Sequence, residues 1–349
     1  MPMATINGDG LGNILFATSA LGDIVNGRGG DDEIRGGSGD DRLNGQAGND
    51  VITDGVGGAD WISGGAGDDR IVVSGGGDTI DGGNGVDSLV VSLNFGSGTP
   101  TIRISLSQGS LSFSGVSEPS SIIAGIENAE AAGGSRLVSA EIIGSGADNI
   151  LTGGTGDDKI VGRSGNDTLF GRGGTDFLSG QGGADFLEGS GTLLGGRGGD
   201  DLNGEASDDK LKGGRGNDDL NGGFGDDIIQ GDRGQDVLLG GGGADSFRFR
   251  KIKDSEAGAK KDIIVDFEQT VDVISLARID ADTTLAGNQA FNFIAAGGFT
   301  GTSGELRYEQ TNGGFVVQAD VDGDGAADFE IQVDDIQGLS ALNASDFLL

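Results

Sequence analysis

The chain of 349 residues carries 56 acidic against 22 basic side chains, a formal net charge of -34, so a basic patch for nucleic acid or an anionic membrane surface is not expected. It has neither Cys nor His, which removes disulfides, thiolate metal sites, Cys nucleophiles, His-dependent triads and HExxH zinc centres. No run of 18 apolar residues is present to span a bilayer, and Met1 to Asn13 lacks the basic and apolar regions of a conventional signal peptide.

From the N-terminus, 56 of the 74 glycines fall in two runs with a period of nine. Gly153 to Val161 (GGTGDDKIV) sets the register: Gly at positions one, two and four, Asp at six, an apolar residue at eight. A first run of nine units covers Gly8 to Val90, with single-residue slips at Ala17 and Asp54. A second run of eleven extends from Gly144 to Arg248, broken only at Gly189 to Leu194. Position six is Asp in eighteen of the twenty units and Asn in two (Asn13, Asn149), and position eight is apolar in all twenty. Such a unit predicts a glycine turn followed by a three-residue strand with one buried side chain. Two units make a flattened coil of eighteen residues, and coils stacked at roughly 4.8 Å pair their strands in parallel around a thin apolar core.

Stacking also places the Asp residues in columns, where like charges about 5 Å apart repel by roughly 1 kcal/mol in water and more at lower dielectric. A cation between them relieves this. Ca2+ suits carboxylate and carbonyl oxygens in flexible geometry better than Mg2+, which demands a tighter octahedron. For a single unit the alternative is an Asx-type turn without metal.

The units resemble the GGxGxDxUx nonapeptide of RTX (repeats-in-toxin) proteins, a signature of calcium-binding parallel β-helices. The resemblance implies an all-β fold, a right-handed parallel β-roll with several Ca2+ ions held by position-six carboxylates and turn carbonyls. By position the ligand candidates are Asp32, Asp41, Asp50, Asp60, Asp69, Asp78 and Asp87 in the first run. In the second they are Asp158, Asp167, Asp176, Asp185, Asp200, Asp209, Asp218, Asp227, Asp236 and Asp245. Leu11, Leu21, Ala147 and Ser207 depart from the fourth-position Gly, and the break at Gly189 to Leu194 should leave an imperfect neighbouring site.

Residues 91–143 replace the repeat with alternating stretches such as TIRISL from Thr101, and read as a β insertion that extends or covers the roll. Beyond residue 248 glycine thins out and period-two patterns appear at DIIVDF from Asp262, DVISL from Asp272, Gln289 to Ile294, Gly304 to Tyr308 and Gly314 to Val321. These predict an antiparallel, sandwich-like cap over 249–349 that closes the open end of the roll. With DSEAG from Asp254, QAFNFI from Gln289 and DVDGDGAADFEI from Asp320, the stretch is similar to the C-terminal domain of serralysin metalloproteases. Their zinc helix needs His residues that this chain lacks, so zinc proteolysis is excluded. Asp320, Asp322, Asp324 and Asp328 resemble the start of an EF-hand loop, but Ile331 stands where its Glu would be; a hairpin with an Asp-Gly turn is the simpler reading. Asp346-Phe347-Leu348-Leu349 is similar to the uncleaved signal shown to type I ABC exporters.

The domains read as a first roll (1–90), the insertion (91–143), a second roll (144–248) and the cap (249–349). The expected function is a secreted, extracellular, non-enzymatic Ca2+-binding protein that folds outside the cell, with a surface, matrix or adhesion role. A carbohydrate- or protein-processing accessory and a membrane-active protein are the alternatives.

Overall fold

The computed structural model describes residues 3–18, 20–75, 77–93, 101–114, 121–133, 139–334 and 340–349. Residues 94–100, 115–120 and 134–138 of the expected insertion lie outside them, as do the first two residues of the expected N-terminal stretch. The chain divides into two units, Met1–Leu178 and Ser179–Leu349. Both are parallel β-solenoids, and among the described residues no helix is long and apolar enough to cross a membrane.

In the first unit, each nonapeptide turns on its glycines and then extends. One ladder stacks Thr5–Asn7, Ile24–Asn26, Arg42–Ala47, Trp61–Ala66 and Thr79–Asn84 in parallel. The opposite ladder stacks Ile14–Phe16, Glu33–Arg35, Val51–Thr53, Arg70–Val73 and Ser88–Leu93. Register is set by position eight: Val25 faces Leu43, Leu43 faces Ile62 and Ile62 faces Ile80, all buried to within 1% of full enclosure. A one-residue slip would put this entire row into water.

The insertion extends the roll. Asn128–Gly133 lies parallel to Ser88–Leu93 and to Ile150–Thr152, and so continues one ladder. On the other face, Ser121–Ala124 adds in parallel to Thr79–Asn84. The hairpin Thr101–Ser105 and Ser110–Ser114 then fills the ladder up to Ser139–Ile143, which pairs in parallel with both Thr101–Ser105 and Lys159–Ser164. Ile102, Ile104, Leu111 and Ile142 keep the apolar row closed where the glycine period lapses.

The second unit repeats the design. Leu193, Leu211, Ile229, Phe247, Ile274 and Phe347 are successive neighbours in one row, and Leu187, Leu202, Leu220, Leu238, Ile264 and Val333 in the other. The break at Gly189 to Leu194 is therefore filled, since Gly191–Arg197 is a strand and Leu193 is fully buried in the core row.

The expected antiparallel cap is present as the meander Glu305–Thr311, Gly314–Asp320 and Phe329–Asp334. Three stretches assigned to it behave otherwise. Within Gln289 to Ile294, the short strand Asn292–Phe293 pairs in parallel with Glu305–Thr311. Asp262–Ile264 and Val273–Ser275 extend the parallel ladders beyond Arg248, on Val237–Gly242 and Ser246–Arg248. Each has an Asp two residues before a buried Ile, the same spacing as positions six and eight of a repeat, and the apolar row recruits them although only Gly258 remains of the repeat's turn glycines. Phe329–Asp334 then docks in parallel on Asp262–Ile264.

Candidate metal centre

The tight turn that precedes each strand positions the sixth-position Asp. At Gly45, first in its repeat, a Cβ would stand 2.0 Å from Asp50 Oδ2 and 2.7 Å from the carbonyl oxygen of Gly64, one coil further on. At Gly48, fourth in the repeat, φ is +132° and a Cβ would strike the carbonyl of Gly30 at 2.3 Å. Glycine at these positions leaves room for oxygens that a side chain would displace. Ser207 holds the fourth position with φ of 126° and its hydroxyl donates to Asp209 Oδ1 at 3.0 Å.

All seventeen candidate Asp residues are buried, none more than 4% exposed. They form columns through one repeated contact, in which Oδ1 accepts the main-chain N–H of the equivalent residue a coil earlier. In the first unit Asp23, Asp41 and Asp60 donate to Asp41, Asp60 and Asp78 at 2.6, 2.7 and 2.9 Å. A second column runs Asp32, Asp50, Asp69 and Asp87 with each link at 2.8 Å. Beyond the insertion Asp158 donates to Asp176 at 2.9 Å, and Asn149 to Asp167 at 2.9 Å. In the second unit Asp185, Asp200 and Asp218 link to Asp200, Asp218 and Asp236 at 3.0, 2.9 and 3.0 Å. Asp209, Asp227 and Asp245 make the companion column at 2.8 and 2.9 Å.

The columns end or lapse where the repeat does. Gly191 stands where a position-six Asp belongs and its N–H reaches Asp209 at 2.5 Å, so the break removes one carboxylate. At the insertion, Glu127 accepts from Asp87 at 2.8 Å and Ala140 donates to Asp158 at 2.5 Å.

The second carboxylate oxygen identifies the site. Oδ2 of Asp32, Asp50, Asp69, Asp87, Asp200, Asp209, Asp218, Asp227, Asp236 and Asp245 is buried with no hydrogen-bond partner. A buried charged oxygen without a partner costs several kcal/mol. Burial pushes Asp50, Asp69, Asp87, Asp167, Asp227 and Asp245 up to about 6, and Asp60, Asp158, Asp218 and Asp236 to about 7. Loss of solvation is the largest cause in each, and neighbouring carboxylates add to it. Asp41 and Asp158 differ, because the N–H groups of Gly37 and Gly154 satisfy their Oδ2 at 2.9 and 2.6 Å.

Several members of these columns escape the repeat pattern. Asp262 Oδ1 accepts from Asp236 and Asp272 Oδ1 from Asp245, both at 2.9 Å, adding a rung to each column of the second unit. Asp262 is fully buried, its Oδ2 has no partner, and desolvation followed by the charge of Asp236 pushes it to about 9. Asp23, the remaining position-six Asp of the repeats, also belongs to the first unit's column, whereas Asp54, at a slip, is 4% exposed with Oδ1 unpartnered. A second, outer ladder comes from position five: Asp31, Asp40, Asn49, Asp68, Asp157, Asp208, Asn217 and Asp226 accept the N–H of the next coil at 2.8 to 3.1 Å. The recurrent Asx-Asp pairs were its signal in the sequence.

Asp320, Asp322 and Asp328 each bring an oxygen within 4.8 Å of the others. They sit in a hairpin loop between two strands, and Asp320 accepts the N–H groups of Gly323 and Gly325 at 2.7 and 2.9 Å. Asp324 stays out of the cluster and accepts from Ala326 within the loop.

A parallel β-solenoid with columns of buried, half-satisfied carboxylates beside turn carbonyls defines a class of hard-cation-binding repeat. Residues 18–52, 54–89, 143–178, 161–192, 194–229 and 213–247, about half of the chain, match the RTX calcium-binding nonapeptide repeat family. The chain belongs to that family, whose repeats bind Ca2+. No curated protein matches it.

Proposed function

We propose that this is a secreted, non-enzymatic Ca2+-binding protein whose fold is gated by calcium, with the seventeen Asp of the columns as ligands. The observation that carries the reading is the row of buried Oδ2 atoms without partners, each facing the space beside a first-position glycine, where for Asp32, Asp50, Asp69, Asp87, Asp209 and Asp227 a main-chain carbonyl from a neighbouring coil also points. That donor set of carboxylate and carbonyl oxygens fits Ca2+. Bound Ca2+ supplies positive charge to the columns; the chain's own part is to hold oxygens at coil spacing and exclude water from them. In a calcium-poor cytosol the columns repel and the chain stays unfolded, and outside the cell binding energy becomes folding energy.

Export through a type I ABC machinery and kinship of the last hundred residues with the serralysin C-terminal domain belong to the same reading. Phe347–Leu348 pairs with Val273–Ser275, and Phe347 packs on Phe293 with ring centres 5.2 Å apart. A terminal signal built on those residues is legible to an exporter only before the unit folds, which couples export to the calcium-poor side. RTX repeats are typical of secreted proteins, and a surface or matrix role follows from extracellular, calcium-stiffened coils of this charge.

The test is a Ca2+ titration of metal-stripped protein followed by far-UV circular dichroism, with Mg2+ as control. Cooperative gain of β signal between roughly 0.1 and several mM Ca2+, absent with Mg2+, supports gating. A stripped protein already folded and indifferent to Ca2+ overturns it.

A further inference from the structure

In a chain of charge -34, seven of the 22 basic residues line one cavity of about 850 Å³ in the second unit. Its wall is a sheet face. Strand register places Arg197 beside Arg215 and Arg215 beside Arg233, each at the third position of its repeat. Neighbouring parallel strands lie about 4.8 Å apart, so three exposed guanidinium groups form a ladder at coil spacing.

Arg250, Lys251 and Arg278 face this ladder across the cavity. The first two are set by Asp254, 3% exposed, whose Oδ2 accepts their N–H groups at 2.8 and 2.9 Å. Lys212 pairs with Asp232 at 3.0 Å. Among the described residues Arg197, Arg215, Arg233, Arg250 and Arg278 have no carboxylate partner. Five unpaired arginines gathered against the chain's own acidity cost repulsion that a bound anion would relieve.

We infer that this cavity binds a sulfated oligosaccharide. Guanidinium groups recognise planar and tetrahedral oxyanions through paired N–H donors. The lining has no aromatic ring for a nucleobase to stack on, and the volume, within the usual range for small-ligand sites, suits a short oligomer better than a single ion. A long polyanion would meet the acidic remainder of the surface. Carboxylate- and phosphate-rich chains are captured by Ca2+ in the medium where this fold forms, whereas sulfate competes weakly for the ion. The inference thus rests on the calcium-gated reading.

The test is isothermal titration of the full chain in Ca2+-buffered medium with a heparin-derived tetrasaccharide, its desulfated counterpart, an unsulfated oligouronate of equal length and inorganic sulfate. Binding of one tetrasaccharide per chain, weakened by salt and absent for the desulfated sugar, is expected. Arg215→Ala and Arg233→Ala should each weaken it about tenfold, the scale of one charged hydrogen bond. Arg278→Ala on the facing wall should do the same, and the remote Arg70→Ala should not. Equal binding of the desulfated sugar or the oligouronate, saturation by inorganic sulfate at the same concentration, or no binding by protein shown folded by circular dichroism overturns the inference. Failure of the Ca2+ titration itself would instead overturn the reading beneath it.

Discussion

Stripping Ca2+ at pH 8 should unfold the roll, and lowering the pH should recover much of it without metal. In the second unit Asp218 and Asp236 are pushed up to about 7, and Asp227 and Asp245 to about 6, chiefly by burial. All four are at most 1% exposed, so solvent does not screen them. A pKa raised by two to three units from 3.8 corresponds to ~3 to 4 kcal/mol for ionising that group inside the fold. Three or four such groups without a cation offset the whole stability of an ordinary domain, about 5 to 15 kcal/mol. The sign follows from linkage. A folded-state pKa above the unfolded one means that the fold binds protons more tightly, so this contribution is complete below about 3.8 and is lost as pH rises through 6 to 7. Metal-stripped protein at micromolar concentration, followed by far-UV circular dichroism from pH 8 to 5, should therefore gain β signal on acidification. In excess Ca2+ the signal should be flat over that range, with the Ca2+ midpoint rising at lower pH as protons compete. A stripped protein more folded at pH 8 than at pH 5 would refute the electrostatic account of the columns.

Gly213→Ala should raise the Ca2+ midpoint severalfold, because its Cβ would lie 2.3 Å from Asp218 Oδ2, whereas Gly10→Ala, which meets nothing within 4 Å, should leave the titration unchanged. Asp218→Asn should lower the number of ions bound, measured by equilibrium dialysis, while Asp219→Asn on the exposed neighbour should not. Leu220→Ala, deep in the core row at 1% exposure, should cost about 2 to 5 kcal/mol in urea unfolding of the calcium-loaded protein. Asp262→Asn should weaken calcium-dependent folding as a repeat Asp does, although it lies outside the repeats; calcium dependence equal to the parent would remove Asp262 from the column.

The period of nine carried most of the architecture, because glycine, Asp and the apolar residue each answer to a different physical demand at a fixed place. Position eight is buried from Val25 to Phe247 as its pattern required. The same reading stumbled where one demand was met without the others. Asp262 and Asp272 keep the carboxylate and the buried Ile two residues on, but of the repeat's glycines only Gly258 remains before Asp262 and none before Asp272, so alternation suggested antiparallel strands. Leu193 keeps only the apolar residue, and completes the core while the column beside it loses its acid at Gly191. The insertion could be read as extending or covering, since period two fixes which face is buried and says nothing of the partner strand. The third-position arginines were invisible as a group, because their meeting depends on register between coils eighteen residues apart and on a loop from beyond the repeats.

The two halves of each nonapeptide make opposite contributions to folding, and that opposition is what turns a repeat into a switch. One apolar side chain in nine gives a core one residue thick, which orders a strand only when the coils on either side are present. The carboxylate column works against that stacking, since every added coil brings another buried charge beside the last. A core strong enough to win alone would fold in the absence of metal, and a column without a core would bind Ca2+ without defining a register. With the apolar row holding alignment and the acids withholding stability until a cation arrives, folding becomes proportional to neither term but conditional on the ion. Extending both columns through Asp262 and Asp272 into the last unit places the final rungs under the same condition. The meander that docks on Asp262–Ile264, and the Phe347–Leu348 strand beside Val273–Ser275, therefore close on a platform that is itself calcium-dependent.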